Sequence, residues 1–130
     1  MRCGVAKTGG RPWAGENVTF LGKRDDMPGV YASLDLVVLP SFREAMPICL
    51  LEALAAERPV IATPVGSVPD IIIPGQTGVL VEPGNPDALA AAILASLNDP
   101  ERSQRMAVQG RMHVEQFYSD DVMAVSYWKL

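Results

Sequence analysis

The chain has 130 residues, 48% of them hydrophobic, and 11 Lys and Arg against 15 Asp and Glu give a formal net charge of −4. That is enough chain for one domain with a sizeable core, and the acidic balance excludes a dominant nucleic-acid footprint, which needs a basic face against phosphates. No run of about 18 apolar residues exists to span a bilayer and Met1-Arg2-Cys3-Gly4 leads into no apolar signal stretch, so the sequence reads as soluble or peripherally membrane-associated.

Residues 1–16 contain Gly4, Gly9, Gly10, Pro12 and Gly15 without helical or strand periodicity, and are expected to be a poorly ordered or divergent segment before a domain over 17–130. Gly9-Gly10-Arg11 lacks the preceding strand and following helix that a phosphate loop requires. Asn17 to Gly22 reads as a strand with a glycine stop. Lys23 and Arg24 follow in a loop, where either a solvated turn or attraction of an anion fits. Pro28 to Ser33 reads as a short helix, with Met27, Val30, Tyr31 and Leu34 apolar at helical spacing.

Leu34 to Leu39 is nearly all apolar, the pattern of a strand covered on both faces in a parallel sheet, and should end near Pro40. A helix rich in Leu and Ala follows to about Ala56. Ser41 and Glu44 have capping-box spacing, a gain of about 1 kcal/mol. That start would put Pro47 inside the helix at a cost of roughly 3 kcal/mol. The helix is therefore expected to begin at Pro47, which leaves Glu44 in the strand-to-helix loop. Such loops form the ligand crevice of open α/β sheets.

Glu52 falls in the second turn of that helix, and helical side chains lean back toward the N-terminus. At about 1.5 Å per residue it lies roughly 7 to 8 Å along the axis from Pro47, comparable with the reach from a nucleotide's diphosphate to its ribose. A helix start suits the diphosphate, and a carboxylate, an acceptor only, suits paired hydroxyls. The spacing alone equally admits Glu44 as a solvated loop residue and Glu52 as part of a wet helix stripe.

Pro59 to Thr63 reads as the next strand, with proline at its first residue. Gly66-Ser67 makes a turn, followed by a short helical turn from Pro69. Gly75 and Gly78 read as backbone devices of a turn into the strand Val79 to Val81. Asn85-Pro86-Asp87 caps a helix to Leu97 whose Leu89, Ile93 and Leu97 should pack on the sheet. Asp99-Pro100 starts another, to about Tyr118, with Met106, Gly110, His113 and Phe117 on one side. His113, the single histidine, reads as a packed helix residue rather than a base. Ser119 caps a last helix to Lys129. Cys3 and Cys49 have no metal spacing, and Cys49 reads as a reduced core thiol of a cytoplasmic protein.

The strand followed by Pro40-Ser41, Glu44, seven residues and Glu52 resembles the donor-binding motif of the retaining glycosyltransferases of family 4, which have the GT-B fold. The resemblance continues through Ala55 to Thr63, Val65 to Asp70 and Gly75 to Pro86. It implies an α/β, Rossmann-like, doubly wound and largely parallel sheet, the latter part of the second GT-B domain. It implies transfer of a hexosyl group from a nucleotide diphosphate sugar to a glycan, lipid or small-molecule acceptor with retained configuration. Glu44 would be the catalytic residue and, with the backbone at Ala45, Met46 and Ile48, would hold sugar and diphosphate. Glu52 would take the ribose hydroxyls, and the loop of Gly66 would approach the donor. No metal or cofactor beyond the donor is implied.

Implied partners are the nucleotide sugar, the acceptor, an upstream N-terminal Rossmann-like half and, for the full-length enzyme, a membrane surface. The chain alone is expected to be inactive. Two departures stand out: Ala45 replaces the family's usual glycine, where positive φ is less accessible, and Asp70 replaces its preferred Glu. A rival reading is a non-catalytic interaction module of the same fold.

Overall fold

The computed structural model describes residues 17–119; the expectations for residues 1–16, for Cys3 and for the helix after Ser119 lie outside them. The elements are α1 (Met27–Ser33), β1 (Val37–Leu39), α2 (Ile48–Ala55), β2 (Val60–Ala62), α3 (Val68–Ile71), β3 (Val79–Leu80), α4 (Pro86–Asn98) and α5 (Pro100–Phe117). The three strands form a parallel sheet in the order β1-β2-β3, with Val37 opposite Val60 and Ala62 opposite Leu80. This is the expected α/β arrangement. A parallel pair needs a crossover, and α2 supplies the one between β1 and β2.

β2 is buried along its whole length, while β1 and β3 are half-buried edges. The core gathers Leu50 and Leu54 of α2, Val60 and Ile61 of β2, and Val68, Ile71 and Ile72, all essentially without solvent exposure. On the other side of α2 lies α5, which buries Ser103, Met106, Ala107, Gly110 and Val114. Gly110 sets that approach: a Cβ there would stand 2.5 Å from Leu54 Cδ2 and 3.1 Å from the Thr77 carbonyl oxygen.

The end of α2 is fixed by Glu57 at φ 57°, a conformation normally left to glycine. Its N–H donates to Leu54 O at 2.9 Å and the Arg58 N–H to Ala53 O at 3.0 Å. The Glu57 carboxylate accepts from Gln104 and pairs with Arg111 at 3.5 Å, both on α5, and Arg58 Nη1 donates to Leu34 O at 3.1 Å. One corner thus ties α1, α2 and α5 together.

Four expectations need correction. Residues Asn17 to Gly22 form no strand; all are exposed and have no ladder partner among the described residues, and a lone extended segment cannot satisfy its backbone. β1 is shorter than expected because Leu34 caps the end of α1 and its N–H is bonded to Tyr31 O. α4 buries no residue; it packs on α5 and leaves Leu94 and Leu97 exposed. On α5 Met106 and Gly110 do face inward, but Phe117 is exposed and Val114 takes its place.

Alanine is normally the better helix residue by about 1 kcal/mol, yet Gly110→Ala should destabilise the fold by roughly 1–3 kcal/mol through overpacking against the immobile Leu54. Urea denaturation of the variant reads this directly.

Candidate functional site

The loops leaving β1 and β2 at their carboxyl ends meet through backbone contacts. Thr63, almost fully buried, donates from its hydroxyl to the Ser41 carbonyl, and its N–H donates to Leu39 O at 3.3 Å. The Ser67 N–H donates to Ala45 O at 3.0 Å. Between them Gly66 has φ +56°, and a Cβ there would lie 1.7 Å from the Glu44 carbonyl oxygen. Glycine is therefore required by the chain itself: what it approaches is the Glu44 peptide.

Within the first loop, Ser41 Oγ donates to Glu44 Oε1 at 2.7 Å. The pair joins side chain to side chain instead of capping a helix. Pro47 is buried and is the N-cap of α2, one residue before the position expected for it, and its carbonyl accepts from the Leu50 N–H at 3.0 Å. No side chain caps this N-terminus. Ala45 has ordinary backbone angles, since Glu57 alone among the described non-glycine residues has positive φ. The departure from glycine at position 45 thus carries no strain.

A cavity of about 550 Å³ runs along the outer edge of β1, walled by α1 and reaching Ser41, Glu44, Met46 and Pro47 at its upper end. Glu44 is half-buried on this wall, and Met46 lines it with 40% of its surface still exposed. Ala45, Ile48, Glu52 and Gly66 do not line it. Ile48 and Glu52 are exposed on α2 outside the cavity. The structure thus brings Glu44 and Met46 together and leaves Glu52 on the adjacent open face. Arg24 also borders the cavity, its guanidinium held by the Asp26 carboxylate at 2.8 and 2.6 Å.

Tyr31 of α1 is a member of this site that sequence reasoning missed. It is only 5% exposed, borders the cavity, and its hydroxyl is taken out of solvent. Burial first, and the Glu52 carboxylate second, push its pKa up to about 12. Its place in an apolar stripe gave no signal of this. Cys49 is half-buried and borders the cavity instead of lying in the closed core. His113 is half-buried with its ring centre 4.9 Å from that of Phe117 and tilted to it by 51°, a packed residue as expected.

Gly66→Ala should cost at least about 2 kcal/mol, because it adds a backbone collision to the usual penalty for positive φ. Gly75→Ala, at φ +76° but with open space around it, should cost nearer 1 kcal/mol; paired thermal melts separate the two. The folded chain holds the Tyr31 proton above the ordinary value of 10.0, so unfolding free energy should fall as pH rises from 10.0 toward about 12. Tyr31→Phe should flatten that part of the curve, while the raised Tyr118, shared by both proteins, leaves its own contribution.

The pattern described as Glycosyl transferases group 1 matches residues 6–99. N-acetyl-alpha-D-glucosaminyl L-malate synthase of Bacillus anthracis is 37% identical over 110 residues, covering 84% of this chain and 29% of that protein. Sucrose-phosphate synthase of Thermosynechococcus elongatus superposes with a TM-score of 0.83 at 35% identity, over 88% of this chain and 29% of that one. Anabaena HepE in complex with UDP gives a TM-score of 0.78 at 27% identity, over 85% of this chain and 32% of its own. The chain therefore spans less than a third of each of these relatives. With the GT-B neighbours sharing its sheet and the group 1 pattern running through its crevice loops, the chain belongs to the group 1, family 4 glycosyltransferases.

Proposed function

We propose that this chain is the donor-binding portion of a glycosyltransferase that moves a hexosyl group from a nucleotide diphosphate sugar to an acceptor with retention of configuration. The observation that carries the reading is the placement of Glu44 on the cavity wall, immediately before the uncapped N-terminus of α2. Backbone N–H groups and the partial positive charge of a helix start suit a diphosphate. In this reading the amides of Ala45, Met46 and Ile48 and the helix start take the diphosphate's charge, with no metal ion. Glu44 holds the sugar and stabilises the positive charge developing at its anomeric carbon.

Glu52, exposed on the second turn of α2, takes the ribose hydroxyls beside that diphosphate. The HepE complex with UDP supports a nucleotide in a related fold. The acceptor, a glycan, lipid or small molecule, is met by an upstream Rossmann-like half, which also covers the open edge of β1; the chain alone is inactive because a cleft between two domains needs both walls. Among the described residues no helix is long and apolar enough to cross a membrane, and a lipid acceptor would bring the full-length enzyme to a membrane surface.

Ligand-observed NMR with UDP-, GDP- and ADP-sugars should show binding that prefers one base and weakens at least about tenfold in Glu52→Ala, the loss expected on removing a charge-assisted hydrogen-bond acceptor. Binding indifferent to Glu52→Ala would overturn the assignment of the ribose site. A donor-hydrolysis and transfer assay of the purified chain should give no turnover; measurable turnover would show that the chain needs no second wall.

A further inference from the structure

The cavity beside Glu44 follows the outer edge of β1, but a second cavity, of about 350 Å³, lies over the carboxyl ends of the whole sheet. The first residue beyond each strand lines it: Pro40 after β1, Thr63 after β2 and Val81 after β3. Open parallel α/β sheets hold ligands at this end of their strands. Phe42 forms one wall and is 72% exposed. Its neighbour, the Ser41 carbonyl, is fixed by the buried Thr63 hydroxyl, and a Cβ on Gly84 would stand 3.2 Å from Phe42 Cε1, so the ring lies against bare backbone there. Glu82 and Asn85 add polar groups to the lining. Glu82 is exposed and makes no ion pair among the described residues. Asn85 spends its side-chain oxygen on the Ala88 N–H at 3.0 Å, which leaves the two N–H donors of its amide for another partner. An aromatic face, a carboxylate acceptor and an amide donor match a sugar ring, whose C–H face is weakly positive and whose hydroxyls both donate and accept. The volume stands at the small end of ligand pockets, about 300–1,000 Å³, and suits one such ring instead of a nucleotide.

We propose that this cavity is a subsite for one pyranose ring of the acceptor: Phe42 is the stacking platform, Glu82 accepts from one ring hydroxyl and the Asn85 amide donates to another. The acceptor role rests on the donor-site reading above. Pro40 borders both cavities and Phe42 shares a loop with Glu44, so a ring stacked here is adjacent to the donor cavity without entering it. An apolar wall that merely waits for a protein surface would not tell a sugar from a cyclohexane ring. A subsite with a carboxylate and an amide would.

The test is an NMR titration of the chain with the methyl α-glycosides of glucose, mannose and N-acetylglucosamine, with cyclohexanol as the apolar control and UDP-, GDP- and ADP-sugars as competitors. At least one glycoside should bind more tightly than cyclohexanol and stay bound when the nucleotide sugars are added. Phe42→Leu keeps an apolar side chain at an exposed position, so the melting temperature should hold while glycoside binding weakens roughly three- to tenfold, the scale of an aromatic contact. Glu82→Ala should weaken the glycoside about fivefold or more and leave cyclohexanol unchanged. Displacement of the glycoside by the nucleotide sugars would overturn the inference by putting the ring in the donor cavity. Parent-like glycoside binding by Phe42→Leu, cyclohexanol binding as tightly as the glycosides, or no glycoside binding at all would overturn it and leave the donor site standing. Failure of every nucleotide sugar to bind, with a glycoside still bound, would instead remove the donor-site reading and the acceptor role given to this cavity.

Discussion

The contact between Gly66 and the Glu44 carbonyl is the constraint on which the crevice depends. Two loops from neighbouring parallel strands pass at a distance that no side chain can occupy, and the left-handed backbone at Gly66 makes the pass possible. The bonds from Thr63 to Ser41 and from Ser67 to Ala45 hold the loops on either side of it. Because Thr63 is buried, its hydroxyl bond lies where water cannot compete, and the Ser41–Glu44 loop inherits the rigidity of the sheet.

That rigidity reaches the chemistry through α2. The helix is clamped between β2 and α5 by Leu50, Ala53 and Leu54, and its C-terminal corner is tied to α5 through Glu57. The same helix presents an uncapped N-terminus above the cavity and carries Glu52 one turn further on. One face of eight residues therefore builds the core while its end and its outer face are left for a ligand. Side chains that orient a substrate gain most when the element carrying them cannot move.

The cavity has a second character that follows from the sheet. Among the described residues β1 has a partner on one side only, and its apolar side chains Val37, Val38 and Leu39 all border the cavity. An unpaired parallel edge of this kind is seldom left bare. The full-length relatives are more than three times as long as the matched segment, which gives ample chain to cover it.

Much of this was written locally in the sequence. The apolar runs at Val37 and Val60, the prolines at 28, 47, 59, 86 and 100, and the Asn85 and Asp99 caps mark elements by short-range chemistry, and the observed bounds agree within a few residues. Pro47 alone decides that Glu44 belongs to a loop, because a proline inside the helix costs more than the cap it would displace. Glycine at position 66 was legible, though its reason was not: the oxygen it avoids belongs to a residue 22 positions away. Other features arose only when distant elements packed. Asn17 to Gly22 had strand chemistry but no ladder partner among the described residues, α4 had an apolar stripe that leaves Leu97 exposed, and Tyr31 read as one more apolar residue until α1 docked on α2. Sequence determined where the chain bends and where it can start a helix, since those depend on neighbours a few bonds away. Tertiary structure decided which polar atoms lost their water, since only long-range burial can take the Thr63 and Tyr31 hydroxyls out of solvent.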